Sequence, residues 1–283
     1  MVTGQCLCGS VSFEITGPLS APTLCHCGQC RRINGAPGAF TSAPATSYRI
    51  RGEESLNWYR SSAEAERGFC RNCGSKLFWR EVGGATLDVC MGSLNAPTGL
   101  RLGKHIWARH QGDYYEIGHD GLPRYAESSD DAQPIPVEPA PDHGPALSDH
   151  QGGCECAAVR YRVKGRMRDS VVCHCGQCRR THGHAPGYSK ARIAELTIDG
   201  EGDVAWYASS KEAKRGFCRK CGSSLFWRME GADGVSITAG SLKRPTGLKT
   251  ARHIFVADKG DYYEIADGVQ QDAGSMSGNP VTF

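Results

Sequence analysis

A cysteine-rich stretch, CHCGQCRR, occurs twice in the chain, at residues 25–32 and again at residues 173–180. Each copy is accompanied by a CxC pair and a CxxC pair, so both halves carry the same seven cysteines in the same order. Thiolates are preferred ligands of zinc in closed tetrahedral sites. The cysteine pattern therefore predicts a fold organised around bound metal ions, and it predicts that this fold is present twice.

The duplication extends beyond the cysteines. A constant offset of 148 residues relates Cys6 to Cys154, Cys25 to Cys173, Cys70 to Cys218 and His105 to His253. RGFCRNCGSKLFWR in the first half recurs as RGFCRKCGSSLFWR in the second, and GDYYEI is present in both. Two long copies are typical of a duplicated domain rather than a solenoid. We consider that the halves pack as a pseudo-symmetric pair.

A length of 283 residues suits two domains that each bury their own core. We place the first domain at residues 1–125 and the second at residues 151–268. Residues 126–150 combine Pro, Asp, Ser and Glu with little apolar periodicity, as a semi-extended linker does. We expect residues 269–283 to form a disordered tail.

The local pattern of each half favours short strands. SVSFEI, SLNWY, KLFW and TLDVCMG alternate or concentrate apolar residues between glycines and prolines, and no long helical period is present. We expect at most a short helix after CHCGQC. The predicted fold class is mainly β, with two tandem zinc-binding domains.

The start of the chain lacks the basic and apolar regions of a signal peptide, and no apolar run approaches the roughly 18 residues of a membrane span. We therefore expect a cytoplasmic protein with reduced thiols and no membrane partner. The formal charge of +3 would become about −3 if fourteen thiolates held four zinc ions. Nucleic-acid binding gains no support, because the basic residues are also scattered.

Seven cysteines per half make one closed four-ligand site plus three ligands. Structural zinc sites use four protein ligands, whereas catalytic sites use three and keep one position open. The CxxC pair needs a second pair, and CxC supplies it most economically, which leaves the three cysteines of CHCGQC as the open set. The alternative is that both metals only stabilise a domain with a small core, but the odd ligand count argues against it.

Residues close to the open set have two interpretations. In an extended CHC segment the two sulfurs point one way and His26 the other, so the histidine supports the site or is exposed rather than binding metal. Arg31 and Arg32, with Arg179 and Arg180, either bind an anionic substrate or balance the thiolate charge. His105 and His253 are expected to be core or hydrogen-bonded residues. Cys90 faces Thr238 in the repeat alignment and is expected to be a buried, inert thiol.

The ordered set GQCLCGSVSFEI, CHCGQCRRINGAPGA, RGFCRNCGSKLFW and HIWARHQGDYYEIGHDGLPRY resembles the glutathione-dependent formaldehyde-activating enzyme family, which also includes centromere protein V. The resemblance covers nearly all of both halves. It implies a β-rich fold of the beta-tent type, with one structural and one catalytic zinc in each domain. The closing DGLPRY of the first half becomes DGVQQD in the second, which is a departure from the family pattern.

The resemblance also implies which cysteines hold each metal, up to four zinc ions in all. The structural sites would be formed by Cys6, Cys8, Cys70 and Cys73, and by Cys154, Cys156, Cys218 and Cys221. The catalytic sites would be formed by Cys25, Cys27 and Cys30, and by Cys173, Cys175 and Cys178.

The leading functional hypothesis is a carbon-sulfur lyase or synthase that acts on a thiol adduct such as S-hydroxymethylglutathione. Its substrates would be a small thiol, with glutathione as the candidate, and an aldehyde such as formaldehyde. A zinc-bound substrate thiol would carry the chemistry, and no protein side chain is assigned as the catalyst. The alternative hypothesis is a non-catalytic zinc protein of the beta-tent type that binds a partner.

Overall fold

The computed structural model describes residues 1–128, 133–137 and 142–276. In the first half the strands are β1 (Val2–Gln5), β2 (Ser12–Ile15), β3 (Thr23–Cys25), β4 (Gly38–Pro44), β5 (Tyr48–Arg51), β6 (Leu56–Arg60), β7 (Ala65–Cys70), β8 (Lys76–Glu81), β9 (Thr86–Cys90) and β10 (Lys104–Ile106). One α-helix, α1 (Gly28–Asn34), lies between β3 and β4. Short 3-10 turns connect several of these strands.

The second half repeats this element order. Its strands are β11 (Asp149–Gly153), β12 (Arg160–Lys164), β13 (Arg168–Cys173), β14 (Gly187–Arg192), β15 (Leu196–Asp199), β16 (Val204–Ala208), β17 (Ala213–Cys218), β18 (Ser224–Met229), β19 (Gly234–Thr238) and β20 (Thr250–Ile254). Its helix is α2 (Gly176–His182). The prediction of a mainly β chain with two tandem domains is confirmed.

Each half contains a three-stranded and a seven-stranded sheet. The first half has the orders β1-β2-β5 and β10-β3-β4-β9-β8-β7-β6, and the second half has the equivalent orders β11-β12-β15 and β20-β13-β14-β19-β18-β17-β16. Pairing is antiparallel except between β3 and β10 and between β13 and β20. Each of the four runs used to predict strands contains most or all of a strand, although SVSFEI begins two residues before β2 and TLDVCMG ends two residues after β9. The predicted short helix begins inside CHCGQC, at Gly28, rather than after it.

The cores lie between the sheets of each half. In the first half, Phe13 from the small sheet meets Phe78 from the large sheet edge to face, with ring centroids 5.1 Å apart. Tyr161 and Phe226 form the equivalent pair in the second half, at 5.4 Å. Such aromatic pairs add favourable electrostatics to the burial of apolar area. Neither α-helix in the described part of the chain has the length and apolar character that crossing a membrane requires.

The two halves contact each other reciprocally. The Thr98 amide donates to the Asp261 carboxylate, and the equivalent Thr246 amide donates to Asp113, each at 2.6 Å. This is the relationship of two subunits in a two-fold dimer, in which residue i contacts j and j contacts i.

Ring packing across the contact is reciprocal as well. Gly74 lies so close to Phe217 that an added Cβ would be 2.5 Å from the ring. Gly222 has the same relationship to Phe69. Both glycines also have positive φ, near 74°, which favours glycine at these turns. The turn that carries each CxxC pair is therefore covered by a phenylalanine of the other half.

The ends of the predicted domains differ in detail from the observed pairing. Gln271 pairs with His253, and Arg252 forms an ion pair of 3.1 Å with the buried Asp272. Residues 270–272, within the predicted tail, thus contact the second half. Residues 277–283 of that tail, and residues 129–132 and 138–141 of the predicted linker, lie outside the described residues.

Candidate metal centres

Two clusters contain four sulfur atoms each. The sulfurs of Cys6, Cys8, Cys70 and Cys73 lie within 4.8 Å of one another, as do those of Cys154, Cys156, Cys218 and Cys221. The CxC pair follows the first strand of each half, one CxxC cysteine ends β7 or β17, and the other lies in the following turn. The structure thus brings together the pairs that the sequence groups. Backbone amides support them, with Val11 N donating to Cys6 Sγ at 3.3 Å.

The sulfur spacing tests whether zinc fits these clusters. Tetrahedral coordination with Zn–S bonds of about 2.3 Å places sulfurs about 3.8 Å apart. Cys8 Sγ lies 3.5 Å from Cys6 Sγ and 3.7 Å from Cys70 Sγ. The equivalent separations from Cys156 to Cys154 and Cys218 are 3.6 and 3.7 Å. These distances are far from the roughly 2.05 Å of a disulfide and suit a four-thiolate zinc site.

Two further clusters contain three sulfurs. Cys25, Cys27 and Cys30 form the first and Cys173, Cys175 and Cys178 the second, again within 4.8 Å. Cys25 ends β3, Cys27 caps the N-terminus of α1, and Cys30 lies in its first turn, where its amide donates to Cys27 Sγ at 3.4 Å. Cys27 and Cys175 are partly exposed, whereas the other members are buried. Each set therefore offers three ligands, one of them on a partly exposed residue.

Electrostatics favour a thiolate at the exposed position. Hydrogen bonds with the Cys25 and Cys30 thiols lower the pKa of Cys27 well below its usual range. Hydrogen bonds among the same three thiols, together with burial, raise the pKa of Cys25 above its usual value. Within the cluster the thiol of Cys27 therefore ionises most readily. A thiolate is the form of cysteine that binds metal.

A buried arginine, which the sequence analysis missed, touches each three-sulfur cluster. Arg67 on β7 donates from Nη2 to Cys30 Sγ at 3.6 Å and to Gln29 Oε1 at 3.2 Å. Arg215 makes the equivalent bond to Cys178 Sγ, also at 3.6 Å. Burial would lower the pKa of Arg67, but the charges of Cys30 and Cys27 raise it above its usual value. The sequence does contain a signal for these arginines, since each is the first residue of the repeated RGFC motif.

His26 lies on the opposite side of the CHC turn from the sulfurs, as alternation predicts, and belongs to no sulfur cluster. His105 Nε2 donates to the Asp120 carboxylate at 2.9 Å. In its neutral form His105 then accepts from His26 Nε2 at 3.0 Å, and His26 Nδ1 accepts from the Tyr115 hydroxyl at 2.8 Å. Burial lowers the pKa of His26 well below its usual value. The chain of bonds fixes the ring that lies between two ligands.

The same chain is present in the second half, through Tyr263, His174, His253 and Asp267. His105 and His253 are thus buried hydrogen-bonded residues. Both chains border a cavity of about 120 Å³ between the halves. Burial would raise the pKa of the Asp267 carboxyl, but the hydrogen bond and charge of His253 lower it. The carboxylate therefore sets the tautomer of each histidine pair.

The second half has an additional connection to its three-sulfur cluster. His182 Nδ1 donates to the carbonyl oxygen of Asn34, the last residue of α1. The Tyr188 hydroxyl donates to His182 Nε2 at 2.7 Å and accepts from Arg215 Nη1 at 3.2 Å. Because Arg215 also contacts Cys178, a continuous path joins the helix of one cluster to the sulfur of the other. The first-half residues equivalent to His182 and Tyr188 are Asn34 and Phe40.

The arginines that follow each cluster turn toward other partners. Arg31 Nε donates to the His26 carbonyl at 3.3 Å, and Arg179 Nε to the His174 carbonyl at 3.0 Å. Arg32 forms an ion pair of 2.6 Å with Glu155 of the second half. Arg180 donates to the Gln5 carbonyl of the first half. Their predicted role in anion binding stays a prediction.

Cys90 lies at the contact between the halves. Its thiol is buried, and burial raises its pKa to about 12. An added Cβ on Gly183 would be 3.0 Å from its sulfur. Thr238, the equivalent residue of the second half, lies similarly close to Gly35 of the first half. The burial agrees with the expectation of an inert thiol.

Comparisons with known proteins agree with the duplicated architecture. A family model described as glutathione-dependent formaldehyde-activating enzyme matches residues 1–110 and 149–258. An uncharacterized lyase of Schizosaccharomyces pombe is 25% identical over 122 residues, which cover 43% of this chain and 88% of that protein. A Halomonas elongata protein, provisionally named as a glutathione-dependent formaldehyde-activating enzyme, is 30% identical over 86 residues, which cover 28% of this chain and 55% of that protein.

A crystal structure of a Rhodobacter sphaeroides protein matches 33% of this chain and 88% of its own, at 25% identity and a TM-score of 0.28. The family match rests on sequence and spans both halves, including all fourteen clustered cysteines. The chain therefore belongs to the glutathione-dependent formaldehyde-activating enzyme family and carries its domain twice in tandem.

Proposed function

We propose that each half is a zinc-dependent carbon-sulfur lyase, able to run as a synthase, that acts on the adduct of a small thiol and an aldehyde. The observation that carries the proposal is the coexistence of a closed four-sulfur cluster and a three-sulfur cluster with a partly exposed member. This is the division between structural and catalytic zinc sites. The family description and the lyase-named relative support the reaction class.

In the proposed synthetic reaction, the thiol S–H adds across the aldehyde C=O. A carbon-sulfur bond forms, the carbonyl π bond breaks, and the thiol proton is transferred to the carbonyl oxygen. The lyase direction reverses each change. With glutathione and formaldehyde the product is S-hydroxymethylglutathione. We propose these substrates from the family description, and the proposal includes no nucleic-acid or membrane partner.

Cys25, Cys27 and Cys30 would hold the catalytic zinc of the first half, and Cys173, Cys175 and Cys178 that of the second. When bound, zinc lowers the pKa of a coordinated thiol, so that the nucleophilic thiolate is available near neutral pH. The surrounding residues orient the ligands. Arg67 offsets the negative charge at Cys30, and the His26 ring, held by its hydrogen bond to His105, fixes the CHC turn that carries Cys25 and Cys27.

The four-sulfur clusters would hold structural zinc. Cys6, Cys70 and Cys73 are buried and Cys8 is only partly exposed, and the rings of the other half cover the CxxC turn. We further propose a cytoplasmic location, because fourteen clustered thiols need a reducing compartment to stay available for metal.

The test is zinc content together with turnover. Protein purified without chelator should contain about four zinc ions per chain, and it should accelerate loss of free thiol after glutathione and formaldehyde are mixed. The Cys27→Ser/Cys175→Ser variant should contain about two zinc ions and lose the acceleration. Four zinc ions with no acceleration by the intact protein would contradict the enzyme proposal and favour the alternative, a zinc-containing interaction protein.

A further inference from the structure

A groove of about 660 Å³ lies on the second half, and none of the six cysteines of the three-sulfur clusters lines it. Its walls come from the small sheet β11-β12-β15, the loop at residues 240–244, and α1 of the first half. Of the residues that the structure describes, six basic side chains and one aspartate, Asp199, line the groove. We call it the basic groove, after the basic side chains Arg31, Arg32, Arg160, Arg162, Lys243 and Arg244.

In the first half, the positions equivalent to the floor of the basic groove bind a guanidinium group. There the guanidinium of Arg180 donates to the Gln5 carbonyl at 3.0 Å, to the Ser93 carbonyl at 3.3 Å and to the Asn95 side-chain oxygen at 3.1 Å. These acceptors belong to the first-half positions equivalent to Gly153, Ser241 and Lys243 of the basic groove. The floor in the first half is therefore filled by a cationic group of the protein itself.

Two substitutions between the halves explain why the second groove is open. Glu155 stands where the first half has Leu7, and it holds Arg32, the counterpart of Arg180, at 2.6 Å. Lys243 stands where the first half has Asn95, so an acceptor is replaced by a cation that repels a guanidinium.

The backbone at the floor is unchanged between the halves. Gly4 bridges to Leu94 in the first half, and Gly152 bridges to Leu242 in the second. The carbonyls of Gly153 and Ser241 therefore present to the groove the acceptors that bind a guanidinium in the first half. A ligand with an ammonium or guanidinium group matches this floor.

The rim of the groove, unlike its floor, suits a negatively charged ligand group. Lys243 and Arg244 are exposed and donate to neutral acceptors, the Gln151 side-chain oxygen at 3.3 Å and the Gln111 carbonyl at 3.0 Å. Arg162 is balanced by Asp149, and Arg160 lies opposite Asp199 on the neighbouring strand. The charge at Lys243 and Arg244 is left to be balanced by a ligand, and carboxylates are suitable partners.

We propose that the basic groove binds a small zwitterion with one cationic group and at least two carboxylates, an acidic amino acid or short acidic peptide. The cationic group would replace the guanidinium seen in the first half, and the carboxylates would meet Lys243 and Arg244. The site contains no cysteine of the three-sulfur clusters, and the proposal does not depend on the proposed reaction.

The probe for the test is L-glutamate, which has one ammonium group, two carboxylates and no thiol. Titration calorimetry of the full-length zinc protein should show one binding site per chain. Tricarballylate, which has three carboxylates and no cationic group, should bind at least about tenfold more weakly. Absence of L-glutamate binding at millimolar concentration, or equal binding of tricarballylate, would overturn the proposal.

Variants that exchange residues between the halves locate the site. Glu155→Leu/Lys243→Asn recreates the first-half residues, lets Arg32 enter the groove, and should weaken binding at least about tenfold. The reverse exchange, Leu7→Glu/Asn95→Lys, should open a second groove and raise the stoichiometry. Cys27→Ser/Cys175→Ser should leave binding unchanged. Binding that is lost in the cysteine variant, or that survives Glu155→Leu/Lys243→Asn unweakened in folded protein, would place the ligand elsewhere.

Discussion

Lys76 and Ser224 occupy the same position in the two halves, and they meet across the contact, with Lys76 Nζ donating to Ser224 Oγ at 2.6 Å. The ammonium group also donates to the Gly74 carbonyl at 2.6 Å and is fully buried by its surroundings. A lysine at both positions would bring two buried ammonium groups together. The serine removes that repulsion and supplies an acceptor.

The buried lysine predicts a pH dependence of stability. Burial lowers the pKa of Lys76 from 10.5 to about 7. Between these values the unfolded chain binds the proton more tightly, so this contribution to stability is present at high pH and is lost as pH falls toward 7. Lys76→Met lacks it. Near pH 7 the variant should therefore have the larger free energy of unfolding, measured by urea denaturation. This difference between the two proteins should shrink by up to about 4 kcal/mol between pH 7 and 10. The same pH dependence of the unfolding free energy in both proteins would contradict the prediction.

Tyr188→Phe tests the path to the second three-sulfur cluster. The change leaves His182 Nε2 without its donor and Arg215 without the phenol, and it should cost about 1–3 kcal/mol in unfolding free energy. Cobalt-substituted protein, with the first cluster removed by Cys27→Ser, should show shifted sulfur charge-transfer bands, since Arg215 contacts Cys178. Phe40 is the natural residue at this position in the first half. An unshifted spectrum would show that Arg215 is held without Tyr188.

Cys70→Ser and Cys27→Ser should have different consequences. Cys70 is buried in a closed four-sulfur cluster, so its loss should abolish cooperative folding of the first half, because structural zinc contributes directly to folding. Cys27 is partly exposed, and its loss should leave the fold intact while zinc content falls by about one ion. Near-ultraviolet circular dichroism and elemental analysis distinguish these outcomes. Equal loss of structure in both variants would contradict the division of roles.

Asp261→Asn tests the reciprocal contact between the halves. Asp261 accepts hydrogen bonds from the Thr98 amide and hydroxyl, at 2.6 and 2.9 Å. Replacing one carboxylate oxygen by an amide group should cost about 1.5–3 kcal/mol, and Asp113→Asn should cost a similar amount through Thr246. Thermal unfolding measures both. A single transition that moves equally in the two variants is expected, whereas two separate transitions would show that the halves unfold independently.

Much of this architecture follows from local sequence. KLFW forms part of β8 because its apolar residues suit a buried strand, and Cys25 and Cys27 point away from His26 because extended residues alternate. Grouping of CxC with CxxC followed from the number of ligands. These features depend on residues that are close together in the chain or on the coordination number of zinc.

Contacts set by tertiary packing could not be predicted in this way. Arg67 on β7 contacts Cys30 although the two residues are 37 positions apart in sequence. His182 finds its acceptor, the carbonyl of Asn34, in the other half of the chain. The preference of Arg32 for Glu155 likewise depends on how the halves pack. Sequence identified these side chains as polar or charged but could not supply their partners.

The covering of Gly74 by Phe217 has a consequence for synthesis. A ribosome adds about 5–20 residues per second, so the second half follows the first by about 7–30 s. All four cysteines of the first four-sulfur cluster leave the ribosome before the aromatic ring that covers their turn has been made. During this interval the nascent chain exposes both unprotected thiols and an apolar surface. Early capture of zinc would shorten its exposure to oxidation and to association with neighbouring chains.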